Sequence, residues 1–175
     1  MELYLDPRNE TVDTKRVNSA IQTLKTTGGT LRFFAGKYTL GTIVLESNIR
    51  HLFEPGVEIL YSDDEDEFLE GKGHQYNTFA DRETSIFKFS LFYGENLENI
   101  IVEGPAKIIN EHYPRGGRKP FVLKSCSNII LRDFTIERAP NYTISLIDCE
   151  NVAIEGVKIW NALCDGIDLD GCRMV

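Results

Sequence analysis

The sequence predicts an all-β chain wound as a parallel β-helix, and three observations predict it. Between Phe121 and Val175 one unit is written twice and begun a third time. Cys126-Ser127-Asn128-Ile129-Ile130-Leu131 returns as Cys149-Glu150-Asn151-Val152-Ala153-Ile154, and again, after an equal interval, as Cys172-Arg173-Met174-Val175. Within each unit apolar residues alternate, as in Ile129, Leu131 and then Phe134, Ile136, the period of a strand with one face buried. No hairpin signal separates these strands. A chain climbing about 4.8 Å per turn would stack each position on its counterpart in the next unit, setting Phe121, Ile144 and Ile167 in one column and Leu123, Leu146 and Leu169 in another. A leucine-rich repeat could share the period, but its Leu-x-x-Leu-x-Leu signature is absent. Aligned Asn128 and Asn151 read as a turn ladder, since asparagine bonds local backbone and tolerates left-handed dihedrals.

In chain order, Val17, Ala20, Ile21 and Leu24 fall at helical spacing over 13–25, with Asp13 or Thr14 as N-cap and Gly28-Gly29 as the stop. An amphipathic helix there would cap the first rung, whose backbone edge and apolar end are otherwise exposed. Thr30–Phe34, Lys37–Tyr38, Thr42–Leu45, Ile49–Phe53 and Val57–Tyr61 read as strands parted by glycine, asparagine and proline turns. Residues 62–84 form a loop excursion. It opens with the carboxylates Asp63 to Glu67, which lack the spacing and glycine of a calcium loop, and goes on to His74, Tyr76 and Arg82. Such loops often wall binding clefts. The coil resumes at Ile86–Tyr93, and Asn99 restates the asparagine corner. A second excursion, 111–120, holds Arg115, Arg118 and Lys119. It reads either as a patch for carboxylates of an acidic polymer or as a plain surface loop. The whole is expected to be one β-helix domain over 1–175. Because Val175 falls inside a new unit, the solenoid is expected to be truncated at its C-terminal end, with self-association through the open rung.

Composition narrows the function. The net charge of −8 supplies no basic field for nucleic acid or anionic membrane, and no stretch approaches 18 apolar residues. Met1 to Pro7 has neither a basic nor an apolar leader region, which leaves cytoplasmic residence and secretion after processing equally open. Three of the four cysteines fall on the repeat and read as a ladder of small buried thiols; no zinc spacing occurs among them. No metal or cofactor is expected.

At Asp165-Gly166-Ile167-Asp168 the chain resembles the Asn-Thr-Asp-Gly-Ile-Asp segment of glycoside hydrolase family 28, the polygalacturonases and related pectin hydrolases. Gly28-Gly29-Thr30-Leu31, Ala35-Gly36-Lys37-Tyr38, Leu45-Glu46-Ser47-Asn48 and Tyr93 to Ile100 resemble that family's other segments, so the likeness covers nearly the whole chain. The resemblance implies a right-handed parallel β-helix and inverting hydrolysis of a pectin-like polysaccharide, with Asp165 as the first catalytic aspartate. It further implies an Asp pair, a His and an Arg-x-Lys on later rungs, none of them within 1–175, so this portion alone is expected to be inactive. Leu163 and Cys164 stand where the family has Asn and Thr or Ser, which leaves the pectin-backbone sugar open. Asp168, Arg115, Arg118, Lys119 and His74 are the candidate substrate-binding residues. The alternative is a non-catalytic polysaccharide-binding or structural β-helix, with Asp165 no more than the turn residue before Gly166.

Overall fold

A computed structural model of the 175-residue chain describes residues 1–7, 12–70 and 90–175. Its strands form three parallel sheets around one apolar interior. The first sheet runs β1 (Glu2–Leu5), β2 (Gly29–Phe33), β5 (Ile49–Phe53), β8 (Glu98–Glu103), β11 (Ser127–Arg132) and β14 (Glu150–Glu155). The second runs β4 (Ile43–Val44), β7 (Ser90–Glu95), β10 (Lys119–Lys124), β13 (Ile144–Ile147) and β16 (Ile167–Asp170). The third holds β3 (Gly36–Leu40), β6 (Val57–Tyr61), β9 (Lys107–Ile109), β12 (Thr135–Glu137) and β15 (Lys158–Trp160). Sheet neighbours lie one turn of the coil apart, and the fold is a right-handed parallel β-helix.

One column of the first sheet climbs through Thr30, Arg50, Ile101, Ile130 and Ala153. Its steps are unequal until the last, from Ile130 to Ala153, which matches the step from Cys126 to Cys149. The fixed period is therefore a property of the last turns; the earlier steps between paired strands differ in length. Inward positions of these strands, among them Leu31, Phe33, Ile49, Phe53, Ile100, Val102, Ile129 and Leu131, are buried. Asn48, Asn99, Asn128 and Asn151 turn one corner with φ of 63°, 57°, 54° and 62°. Each amide Nδ2 of the last three donates to the Oδ1 of the asparagine one turn before, at 2.7, 3.0 and 2.9 Å. Asparagine suits this corner twice over, through its tolerance of positive φ and through its paired donor and acceptor. The cysteines follow the same stacking: the Glu150 N–H donates to the Cys126 carbonyl and the Arg173 N–H to that of Cys149, both at 2.9 Å. The thiols of Cys126, Cys149 and Cys172 are free.

Helix α1 (Thr14–Leu24) buries Val17, Ile21 and Leu24 against the first turn. Its polar side chains stand in for a missing strand. Asn18 Nδ2 donates to the Thr42 carbonyl and Asn18 Oδ1 accepts from the Val44 N–H, each at 2.9 Å, while Thr14 Oγ1 accepts from the Gly41 N–H. Asp13 does not cap with its side chain as its position suggested; its Oδ1 is taken by Arg16 at 2.7 Å. Gly28, with φ of 64°, closes the helix by donating to the Leu24 carbonyl at 2.7 Å.

On the outside of the first sheet Glu103, 5% exposed, lies between Arg50 and Arg132. Burial opposes its ionisation, yet the two guanidiniums hold its carboxyl below the usual range.

His51 breaks the apolar interior. It is fully buried, in register between Leu31 and Val102, and neither ring nitrogen has a hydrogen-bond partner of good geometry. Desolvation depresses its pKa from 6.5 to about 4, slightly opposed by the Ile101 backbone. The unfolded chain therefore takes up the proton first as pH falls, and stability drains away between about 6.5 and 4. At about 1.4 kcal/mol per pKa unit this amounts to roughly 3 kcal/mol. His51→Leu is expected to gain stability relative to the parent by about that amount when urea midpoints are compared at pH 7 and pH 4. An unchanged difference between the two pH values would contradict the burial of a neutral imidazole.

Candidate functional site

The site is built where the coil turns from β15 into β16. Asp165 sits at that corner, exposed, with its backbone carbonyl accepting from the Thr143 N–H of the turn before at 2.9 Å. Asp168 follows on the outer face of β16, in register with Ser145, whose Oγ donates to Asp168 Oδ2 at 3.2 Å. Burial raises the pKa of Asp168. The Ser145 hydrogen bond and the Lys119 ammonium oppose the rise, and the Asp170 and Asp165 carboxylates add to it. Thr143 Oγ1, beneath this corner, is buried without a hydrogen-bond partner among the described residues.

Lys119 enters the site from below. It is 1% exposed, and its Nζ lies 5.2 Å from the centroid of the Tyr142 ring. Sequence alone reads Lys119 as part of a surface loop, but it opens strand β10, paired with Ser90 on one side and leading into buried Phe121. Further up the outer face, Tyr93, Val122 and Ile147 form a small buried apolar cluster.

Arg118 is likewise placed inside. It is 3% exposed, its guanidinium carbon 4.0 Å from the Tyr113 ring centroid and 4.9 Å from that of Phe68, and it pairs with Glu65 at 3.1 Å. Tyr113 OH donates to the Ser62 carbonyl at 2.6 Å, and Asn110 holds the loop by accepting from the His112 and Tyr113 N–H groups. These contacts bind the insert 111–120 to the acidic segment, so Arg118 is engaged with protein rather than displayed to a polymer. Arg115 is exposed on the same insert. His74 lies outside the described residues.

Asp168 thus feels both Asp165 and Lys119, while Arg118 packs against Tyr113 and Phe68 and pairs with Glu65. Ser145 and Tyr142 were not singled out by sequence. The signal was nonetheless there, because each stands one unit of the cysteine repeat before an aspartate of the site, Ser145 before Asp168 and Tyr142 before Asp165.

Comparison with solved structures establishes the fold. The chain superposes over 97% of its length on a provisionally named glycosyl hydrolase from Parabacteroides merdae, with a TM-score of 0.78 and 18% identity, covering 82% of that chain. It matches the family 28 exopolygalacturonase of Yersinia enterocolitica with a TM-score of 0.73 and 16% identity, again over 97% of this chain and 41% of the other. An iota-carrageenase complexed to iota-carrageenan fragments gives 0.71 and 20%, with the same 97% of this chain and 39% of the other. Against the latter two the chain spans less than half of the partner's length. No protein-family model and no curated protein matches the sequence.

Proposed function

We propose that this chain carries part of the catalytic face of an inverting glycoside hydrolase of the family 28 type, acting on a pectin-like polysaccharide, with Asp165 in the water-activating set. The observation that supports it is the exposed Asp165 carboxylate at the corner of a strand that also carries Asp168, on a fold shared with an exopolygalacturonase and a carrageenase. Inversion needs a base that takes a proton from water and an acid that gives one to the leaving oxygen, with the two carboxyl groups about 6.5–9.5 Å apart. Turns of the coil about 4.8 Å apart supply such separations between side chains on adjacent rungs. Asp165 fills the first role. Asp168, hydrogen-bonded by Ser145, is placed to hold a sugar hydroxyl beside it.

The acid belongs, by the family resemblance, to a rung beyond these residues, so a preparation of 1–175 alone is expected to be inactive. The test is reducing-sugar release by the full-length protein from homogalacturonan and rhamnogalacturonan. Release from one of them is the expected result. Binding to them without release would favour a non-catalytic polysaccharide-binding β-helix.

A further inference from the structure

The outer face of the second sheet changes character at one residue. One of its columns climbs through Val44, Tyr93, Val122, Ser145 and Asp168, each in register with the next. Below Ser145 the column is aliphatic and aromatic, and Val122, fully buried, joins Tyr93 and Ile147 in the small cluster on this face. Burial alone would favour an apolar side chain at 145 as well. The chain instead places a hydroxyl there, 1% exposed, directly beneath a half-buried carboxylate. Its Oγ donates to Asp168 Oδ2 at 3.2 Å. A buried hydroxyl needs a partner, and an ionised carboxylate can only accept. Among the described residues this is the one side-chain hydrogen bond that Asp168 makes. One oxygen of the carboxylate is therefore held and the other, Oδ1, is left for a ligand.

We infer that Ser145 is a positioning residue of the sugar site, fixing Asp168 through Oδ2 so that Oδ1 is aimed at a hydroxyl of the polysaccharide bound beside Asp165. The inference rests on the reading of Asp165 and Asp168 given above. Ser145 is a short side chain on a strand paired on both sides, which makes its hydroxyl a rigid donor. A carboxylate without such a donor turns about its own side-chain bonds, and that freedom must be given up when the sugar binds. The same hydrogen bond bears on the charge of Asp168. Burial and the carboxylates of Asp170 and Asp165 favour its protonated form, whereas the Ser145 hydroxyl and the Lys119 ammonium favour the ionised one. Only the ionised form leaves both oxygens as acceptors. Loss of the Ser145 hydroxyl therefore moves the onset of that acceptor role to higher pH.

The test uses the full-length protein with Ser145→Ala, which removes the hydroxyl at little change of volume, with Asp168→Ala, and with the two together. Carbon-13 nuclear magnetic resonance titration of the Asp168 carboxyl is run beside steady-state kinetics on homogalacturonan and rhamnogalacturonan. Ser145→Ala is expected to shift the Asp168 midpoint upward and to raise KM at pH 7 by about tenfold or more, with kcat little moved. The pH below which KM climbs should rise with that midpoint. In the Asp168→Ala background the same substitution should change KM by under about twofold, since its effect passes through the carboxylate. An unmoved midpoint would overturn the inference, and so would a KM loss as large in the Asp168→Ala background as in the parent. A lowered melting temperature with neither change is what a merely structural hydroxyl would give, and would overturn it as well. A moved midpoint in a protein whose KM stays put, or which cleaves neither polymer, would overturn the assignment to a sugar site. Full turnover by Asp165→Asn, with midpoint and KM both moved by Ser145→Ala, would leave Ser145 standing and remove only the chemistry assigned to Asp165.

Discussion

Asp165→Asn is expected to reduce hydrolysis of the pectin-type substrate by about two to four orders of magnitude, the usual loss when a general base is removed. The substitution isolates chemistry from folding. Asp165 takes part in the coil through its backbone carbonyl, which accepts from Thr143, and Asn keeps both that carbonyl and the shape of the exposed side chain. The melting temperature should therefore stay close to that of the parent, because surface changes away from buried contacts usually move stability by under about 0.5 kcal/mol. Thermal unfolding and reducing-sugar release on the same preparation check both halves. Undiminished turnover would make Asp165 a turn residue before Gly166 and nothing more.

The second large effect is in the interior. Phe121 is fully buried, its ring centroid 4.7 Å from that of Phe92 at an interplanar angle of 13° and 5.3 Å from that of Phe134 at 19°. Phe121→Ala removes the middle ring of this stack and leaves a cavity that flanking strands, held by backbone pairing on both sides, can only partly close. A loss of about 3–5 kcal/mol is expected in denaturant unfolding, against which the whole stability of a domain is only about 5–15 kcal/mol. A loss under about 1 kcal/mol would mean that the turns of the coil repack freely, contrary to a rung-by-rung stack.

The stacking was legible because side chains repeat where the corner and the inner face impose the same demand on every turn. The asparagine corner and the thiol column mark the period of the last turns directly. Earlier turns were harder to align, since the unequal steps from Thr30 to Arg50, Ile101 and Ile130 leave register intact while erasing the period from the sequence. Charged residues misled in a specific way. Arg118 and Lys119 sit in a polar, glycine-rich stretch that looks like surface, but strand β10 begins at Lys119 and aromatic rings close over Arg118. His51 gave no warning either: its alternation with Ile49 and Phe53 places it inward, and nothing in the pattern separates a buried neutral imidazole from an apolar residue. Within the site, Asp165 and Asp168 stood out through a resemblance. Ser145 and Tyr142 emerge only when the step from Cys126 to Cys149 is applied to polar and aromatic residues as it was to apolar ones.

The most direct measurement of the central claim is proton nuclear magnetic resonance of the first sugar released by the full-length protein from the pectic polymer it cleaves, run beside the Asp165→Asn variant. Water activated by a carboxylate across from a separate acid must deliver the product with its anomeric configuration inverted, and the variant should release almost none. A product of retained configuration, or the same inverted product at full rate from Asp165→Asn, would contradict the account.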